Sequence, residues 1–332
     1  MTTIIGTNGD DSLIGGGEGD LIKGRGGNDT LKGGSGPDTL FGGTGDDWIY
    51  SEGSTSGPNQ VDGGAGDDIC FLRVGDNASG GSGFDAFELN LSAVTEGLEI
   101  DLRPMDRGGT VTIGATVVTG FEALNLLATD GADRITVGVA SSMINVNGGE
   151  GDDLIFVKGA AQVRGGFDDD TITGSARDNI LIAGPGADLL IGAGGQDTLT
   201  GEGGPDVLVG MGDLNGGIGD DRLVVRGESR LDGAGGEDVF VFGNLDGLNS
   251  FMWRPDNADT IDVSRVDADV TRGGNQAFVM VEAFTGHAGE VMFEAHPSEL
   301  ESYYRFDVDG DGIADASLTF GNVVDRHPHF IL

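Results

Sequence analysis

Cysteine is all but missing: Cys70 stands alone, so no disulfide can form within the chain. Proline numbers only 8, and without a strict Gly-X-Y period a collagen triple helix is excluded. Positive charge is scarce. Lys and Arg total 18 against 56 Asp and Glu, a formal net charge of −38. That balance excludes nucleic acid as a partner and repels anionic membrane surfaces. No apolar run approaches the roughly 20 residues of a transmembrane helix. The N-terminus, MTTIIGTNGDDSL, lacks the basic start and apolar centre of a cleaved signal peptide. These absences alone indicate a cytosolic protein. They also leave a strongly self-repelling chain with no disulfide to hold it, where a bound metal is the usual substitute.

What is abundant is Gly, at 64 of 332 residues, and it is placed with a period. Residues 6–50 divide into five nonapeptides, GTNGDDSLI, GGGEGDLIK, GRGGNDTLK, GGSGPDTLF and GGTGDDWIY. Position six is Asp in each: Asp11, Asp20, Asp29, Asp38 and Asp47. Position eight is always Leu or Ile. Residues 165–209 form a second run, GGFDDDTIT, GSARDNILI, AGPGADLLI, GAGGQDTLT and GEGGPDVLV. Its sixth residues are Asp170, Asn179, Asp188, Asp197 and Asp206. Six isolated copies place Asp68, Asp85, Asp133, Asp153, Asp221 and Asp238 at the same position.

Glycine accepts positive φ without steric cost, so the first six residues favour a tight turn. The last three suit a short strand whose central aliphatic side chain points inward. The pattern resembles the nonapeptide of repeats-in-toxin (RTX) proteins. The resemblance implies an all-β fold, a parallel β-roll or β-solenoid, in which two nonapeptides complete one coil. It also implies calcium between stacked turns, held by position-six Asp and by bare carbonyls of the glycine-rich loop. Calcium takes six to eight oxygens. Each such site needs repeats n and n+2. By starting residue, the expected sites are 6/24, 15/33, 24/42, 165/183, 174/192 and 183/201. Three more, 63/80, 148/165 and 216/233, are 17 residues apart and indicate coils with a calcium turn on one side only. The total is about nine ions or more, and nine would offset 18 of the 38 excess charges.

The expected organisation is a first roll segment (1–85), a non-repeat β insertion or flanking strands (86–127), a second roll segment (128–239) and a β-rich C-terminal domain (240–332). In that last part ADTIDVSRVDAD, GGNQAFVMV, FTGHAGEV and DVDGDGIADASLTF are similar to the C-terminal secretion domain of serralysin-type proteins. The similarity implies an uncleaved signal read by a type I secretion exporter, and therefore an extracellular protein. Asp307, Asp309 and Asp311 followed by Gly312 resemble the start of an EF-hand calcium loop, although Leu318 stands where that loop has Glu. A plain Asp- and Gly-rich β-turn is the competing reading there.

Catalytic chemistry is not apparent. No HExxH occurs among His287, His296, His327 and His329, so the serralysin protease is not implied. The one G-x-S-x-G-like string, residues 53–57, lacks strand-helix context. Cys70 falls at the aliphatic position eight, which indicates burial. The expected function is a secreted, calcium-binding, non-enzymatic protein: a matrix, adhesive or surface-layer component. Alternatives are a polysaccharide-binding or polysaccharide-modifying module, or a membrane-active toxin-like protein. Expected partners are calcium, the exporter, and a polysaccharide or cell surface.

Overall fold

The computed structural model describes residues 1–52, 57–138, 144–253, 258–273, 275–295, 301–321 and 329–332. It is all-β, with 52% strand and 3% helix, and forms a parallel β-solenoid of about 14 turns. Two compact units divide it, Met1–Phe167 and Asp168–Leu332. The expected second roll segment, 128–239, runs through both.

In the first unit, consecutive nonapeptides enter different sheets. Thr3–Ile5, Leu21–Gly26, Thr39–Thr44, Gln60–Ala65 and Asn77–Ser82 stack in parallel in one. Ser12–Ile14, Thr30–Lys32, Trp48–Tyr50 and Ile69–Leu72 stack in the other. Thus a residue meets its like two repeats later, and the nine-residue phase becomes a coil. Position eight faces inward from both sheets: Ile22, Leu31, Leu40, Ile49 and Cys70 are fully buried. Each buried Leu or Ile contributes about 1.5–3 kcal/mol. Position four turns the chain in the left-handed region, at φ 94° in Gly27 and 117° in Gly45, which an L side chain adopts only with strain. Outside, Tyr50 and Phe71 stack across coils with centroids 4.5 Å apart, and Lys32 Nζ lies 5.1 Å from the Tyr50 ring centroid.

Residues 86–127 carry strands inside these sheets as well as a hairpin. Ala86–Asn90 pairs with Ile69–Leu72 on one side and Ala123–Leu127 on the other. Thr116–Thr119 joins the opposite sheet beside Asn77–Ser82 and receives Val111–Ile113 antiparallel. The aliphatic alternation of FEALNLL supplies inward residues without the glycine turn, so a coil forms where the motif is unreadable.

In the second unit Thr171–Thr173 and Leu189–Ile191 start one sheet, and Ile180–Pro185 and Asp197–Gly203 the other. Val207–Ile218 and Arg222–Gly235 then run as bent strands of 12 and 14 residues, each contributing to both sheets. Beyond Phe240 the topology changes. Glu290–Ala295, Glu301–Asp307 and Ala316–Gly321 are antiparallel neighbours, while Phe251–Trp253 pairs in parallel with Ala316–Gly321. Tyr304 packs against Phe320 and Phe330, and Phe306 against Phe278. This aromatic core replaces the aliphatic column.

Candidate metal centre

The solenoid stacks the position-six carboxylates. Apart from half-buried Asp11, every position-six Asp is at most 2% exposed. One carboxylate oxygen accepts a hydrogen bond from the backbone N–H of the residue one coil earlier. Asp11 donates to Asp29 at 2.8 Å, Asp29 to Asp47, Asp47 to Asp68 and Asp68 to Asp85. On the other side Asp20 donates to Asp38 at 2.7 Å. Asp133 donates to Asp153. In the second unit the chain of bonds passes from Asp170 through Asp188, Asp206 and Asp221 to Asp238.

The second oxygen decides the chemistry. In Asp29, Asp38, Asp47, Asp68, Asp85, Asp188, Asp197, Asp206 and Asp221, Oδ2 is buried with no hydrogen-bond partner among the described residues. A methyl on Gly24 would clash with both Asp29 Oδ2 and the Gly42 carbonyl oxygen. Gly42 stands in the same relation to Asp47 and Gly63, and Gly201 to Asp206 and Gly216. Only a glycine leaves this space to a carboxylate oxygen and a bare carbonyl. Buried, uncompensated carboxylates are costly, and an oxygen-lined cradle fits a hard divalent cation. The position-six Asp side chains and position-one Gly carbonyls would hold it, and its charge would offset their repulsion.

Burial pushes these carboxyls upward, aided by neighbouring carboxylates and opposed by the backbone hydrogen bond each accepts. Asp68, Asp206 and Asp238 rise to about 7, and Asp47, Asp188, Asp197 and Asp221 to about 6. Asp20 moves the other way, because Gly16 N–H donates to one oxygen and Thr2 N–H to the other. Asp133 and Asp11 accept bonds from Thr129 and Thr7, hydroxyl included. Asn179 accepts one from Ser175 N–H. A hydroxyl at position two therefore satisfies internally what other repeats leave open.

Several ladder members carry no repeat motif. Asn59 accepts from Asp38 N–H and donates to Asp76; the interval of 21 residues from Asp38 hides it. Glu122 accepts from Asp85 N–H, and Asp259 from Asp238 N–H. A second, exposed ladder uses position five. Asn28 N–H donates to Asp10, Asp46 N–H to Asn28, and Asp67 N–H to Asp46. It runs opposite to the buried ladder, so each coil step is closed by two reciprocal bonds. On the other side of the second unit, Asp197 is followed across the sheet by Gly212. Gly212 N–H donates to Ser229 Oγ and Ser229 N–H to Ser250 Oγ. Hydroxyls occupy the column where carboxylates end, beside the coils of 17-residue interval.

In the C-terminal loop, carboxylates of Asp307, Asp309 and Asp315 come within 4.8 Å of one another. Asp311 is not in this group; its carboxylate accepts from Ile313 N–H. Both oxygens of buried Asp307 accept backbone bonds, from Gly310 and Gly312. Sequence spacing alone missed Asp315. His287 is exposed and shares a 2.8 Å hydrogen bond with Thr285 Oγ1. His296, His327 and residues 53–56 of the G-x-S-x-G-like string lie outside the described residues. Cys70 is buried, and burial pushes its thiol well above the ordinary range.

The RTX calcium-binding nonapeptide repeat, in four copies, is the family that matches this chain, at residues 5–40, 23–54, 54–78, 164–199 and 173–208. The chain thus carries RTX calcium-binding repeats on a β-solenoid. Among solved structures it is similar to a hyperactive, Ca2+-dependent, beta-helical antifreeze protein from an Antarctic bacterium. That match is at 16% identity and a TM-score of 0.28, covering 80% of this chain and 82% of that one. It is also similar to the extracellular lipase LipA from Serratia marcescens, at 14% identity and a TM-score of 0.19, covering 99% of this chain and 39% of the lipase. No curated protein matches.

Proposed function

We propose that this carrier of RTX calcium-binding repeats is an extracellular, non-enzymatic matrix or adhesive component that folds when it meets calcium. The observation that carries the reading is the series of buried position-six carboxylates whose Oδ2 atoms have no hydrogen-bond partner among the described residues. Without a cation this column is a liability; with one it is the axis of the roll. Extracellular calcium modules bind at about 0.1–1 mM. Calcium is scarce inside cells, so a chain of net charge −38 stays extended and threadable there. Outside, binding supplies folding free energy.

The motifs of the C-terminal segment support export as part of the same reading. The last 90 or so residues resemble a serralysin-type secretion domain in motif order, and a type I exporter passes unfolded chains through such a C-terminal signal. The test is expression with and without that segment beside a type I exporter. Recovery of the full chain in the medium, and retention of a chain ending at residue 239, are expected. Equal export of both would contradict the signal.

A further inference from the structure

We infer that each unit carries a surface groove for a neutral, extended polysaccharide. The grooves lie on the outer faces of the parallel sheets, away from the acidic turns. In the first unit the groove encloses about 550 Å³, within the usual range for small-ligand sites. Two files of outward side chains form its floor. Thr39, Gln60 and Asn77 are register partners in one; Phe41, Asp62 and Ser79 in the other. Thr119 continues the second file and hydrogen-bonds to Thr110, which helps line the groove.

The chemistry is that of sugar recognition. Phe41 is 37% exposed, and Lys23 Nζ lies 5.2 Å from its ring centroid. An exposed ring offers a face to the C–H surface of a pyranose. Among the described residues, Gln60, Asp62, Asn77 and Ser79 have no side-chain hydrogen-bond partner, so their amide, carboxylate and hydroxyl groups are available to vicinal hydroxyls. Neighbours in a file stand about 4.8 Å apart, close to the rise per residue of an extended glycan, so successive sugars along the groove each meet a polar side chain or the Phe41 ring.

The second unit repeats this independently. A groove of about 420 Å³ is lined by Thr198, Thr200, Asp213, Asn215, Arg230 and Phe251. Thr198 pairs across the sheet with Asp213, Asp213 with Arg230, and Arg230 with Phe251. Once more threonines, an Asx pair and one phenyl ring converge. Charge selects within the polysaccharides. A chain of net charge −38 stays strongly negative even when nine calcium ions offset 18 charges. Its grooves carry Asp62 in one, and Asp213 and Asp232 against a single Arg230, 3.9 Å from Asp213, in the other. It repels polyanions and leaves an uncharged polymer as the occupant. This rests on the extracellular matrix reading for its setting and on the grooves for its chemistry.

The test is affinity electrophoresis of the full chain in calcium, through gels containing hydroxyethyl cellulose, galactomannan, dextran or alginate. Circular dichroism of the same samples, with and without EDTA, reports folding separately. Retardation by at least one uncharged polymer and none by alginate is expected. Phe41→Ala with Gln60→Ala should weaken retardation, and adding Phe251→Ala should reduce apparent affinity by roughly tenfold or more. Asn77→Ala, a small change at the surface, should weaken it without altering the spectrum. A folded chain that no uncharged polymer retards, or retardation that survives the triple variant, would overturn the proposal. A spectrum indifferent to EDTA would instead sink the folding reading and leave the retardation result legible.

Discussion

Asp68 and Asn59 show how much one atom decides. Both accept a backbone N–H from the preceding coil, from Asp47 and Asp38. Asp68 then buries an oxygen without a hydrogen-bond partner among the described residues, whereas the Asn59 amide donates to the Ser51 carbonyl. Asp68→Asn keeps the ladder acceptor and removes the buried charge. It should therefore stabilise the metal-free protein at pH 8 and lower calcium stoichiometry, read by thermal melts in EDTA and by ion counting. Unchanged stoichiometry would contradict a ligand role. Asp29→Ala is harsher. It strips the acceptor from Asp11 N–H, a loss of about 1–3 kcal/mol, and should impair both expected sites that share repeat 24, namely 6/24 and 24/42. Loss of only one ion would refute the sharing. These residues were legible in the sequence because phase ties position six to position eight. Asn59 and Asp76 were not, since inserted residues shift their phase. Nor was Asp315, which reaches Asp307 only through the curl of its loop.

At the scale of the coil, two opposed hydrogen-bond ladders flank the turns that carry Asp or Asn at position five, as in the column of Asp10, Asn28, Asp46 and Asp67. The exposed one can be broken without touching a buried carboxylate. Asp46→Ala removes the acceptor for Asp67 N–H and should cost about 0.5–1.5 kcal/mol, a few degrees in melting temperature, with calcium stoichiometry intact. A change in stoichiometry would mean that position five also ligates. Position five varies among Asp, Asn, Glu, Gln, Ala, Pro, Gly and Phe, so its role is visible only once coils are stacked. The pH response belongs to this scale too. Folding raises Asp68, Asp206 and Asp238 to about 7 and Asp47, Asp188, Asp197 and Asp221 to about 6, against roughly 3.9 in the unfolded chain. Their contribution to the metal-free fold is full below about pH 4 and lost as pH rises through 6 to 7. The metal-free chain should gain β structure on acidification from pH 8 to 5. The calcium-loaded chain should show the reverse, because protons compete for its ligands. Circular dichroism across that range checks both, and identical profiles would contradict the account.

At the scale of the molecule, charge and architecture oppose each other until a cation is present. The −38 excess is concentrated in turns that the solenoid brings into register, so compaction raises repulsion. The roll was readable because its periodicity is short and its core column strict. The strands within 86–127 and the aromatic core beyond Phe240 were less so. There the inward residues come from alternation and from antiparallel pairing, without a fixed motif. The most direct measurement is a calcium titration of EDTA-treated full chain at pH 7.5, following far-UV circular dichroism and bound ions per chain together. The account predicts a cooperative change from coil to β structure with about nine ions or more bound. A chain already fully folded in EDTA, or one that folds while binding only one or two ions, would contradict the claim that calcium in the carboxylate ladder holds the roll together.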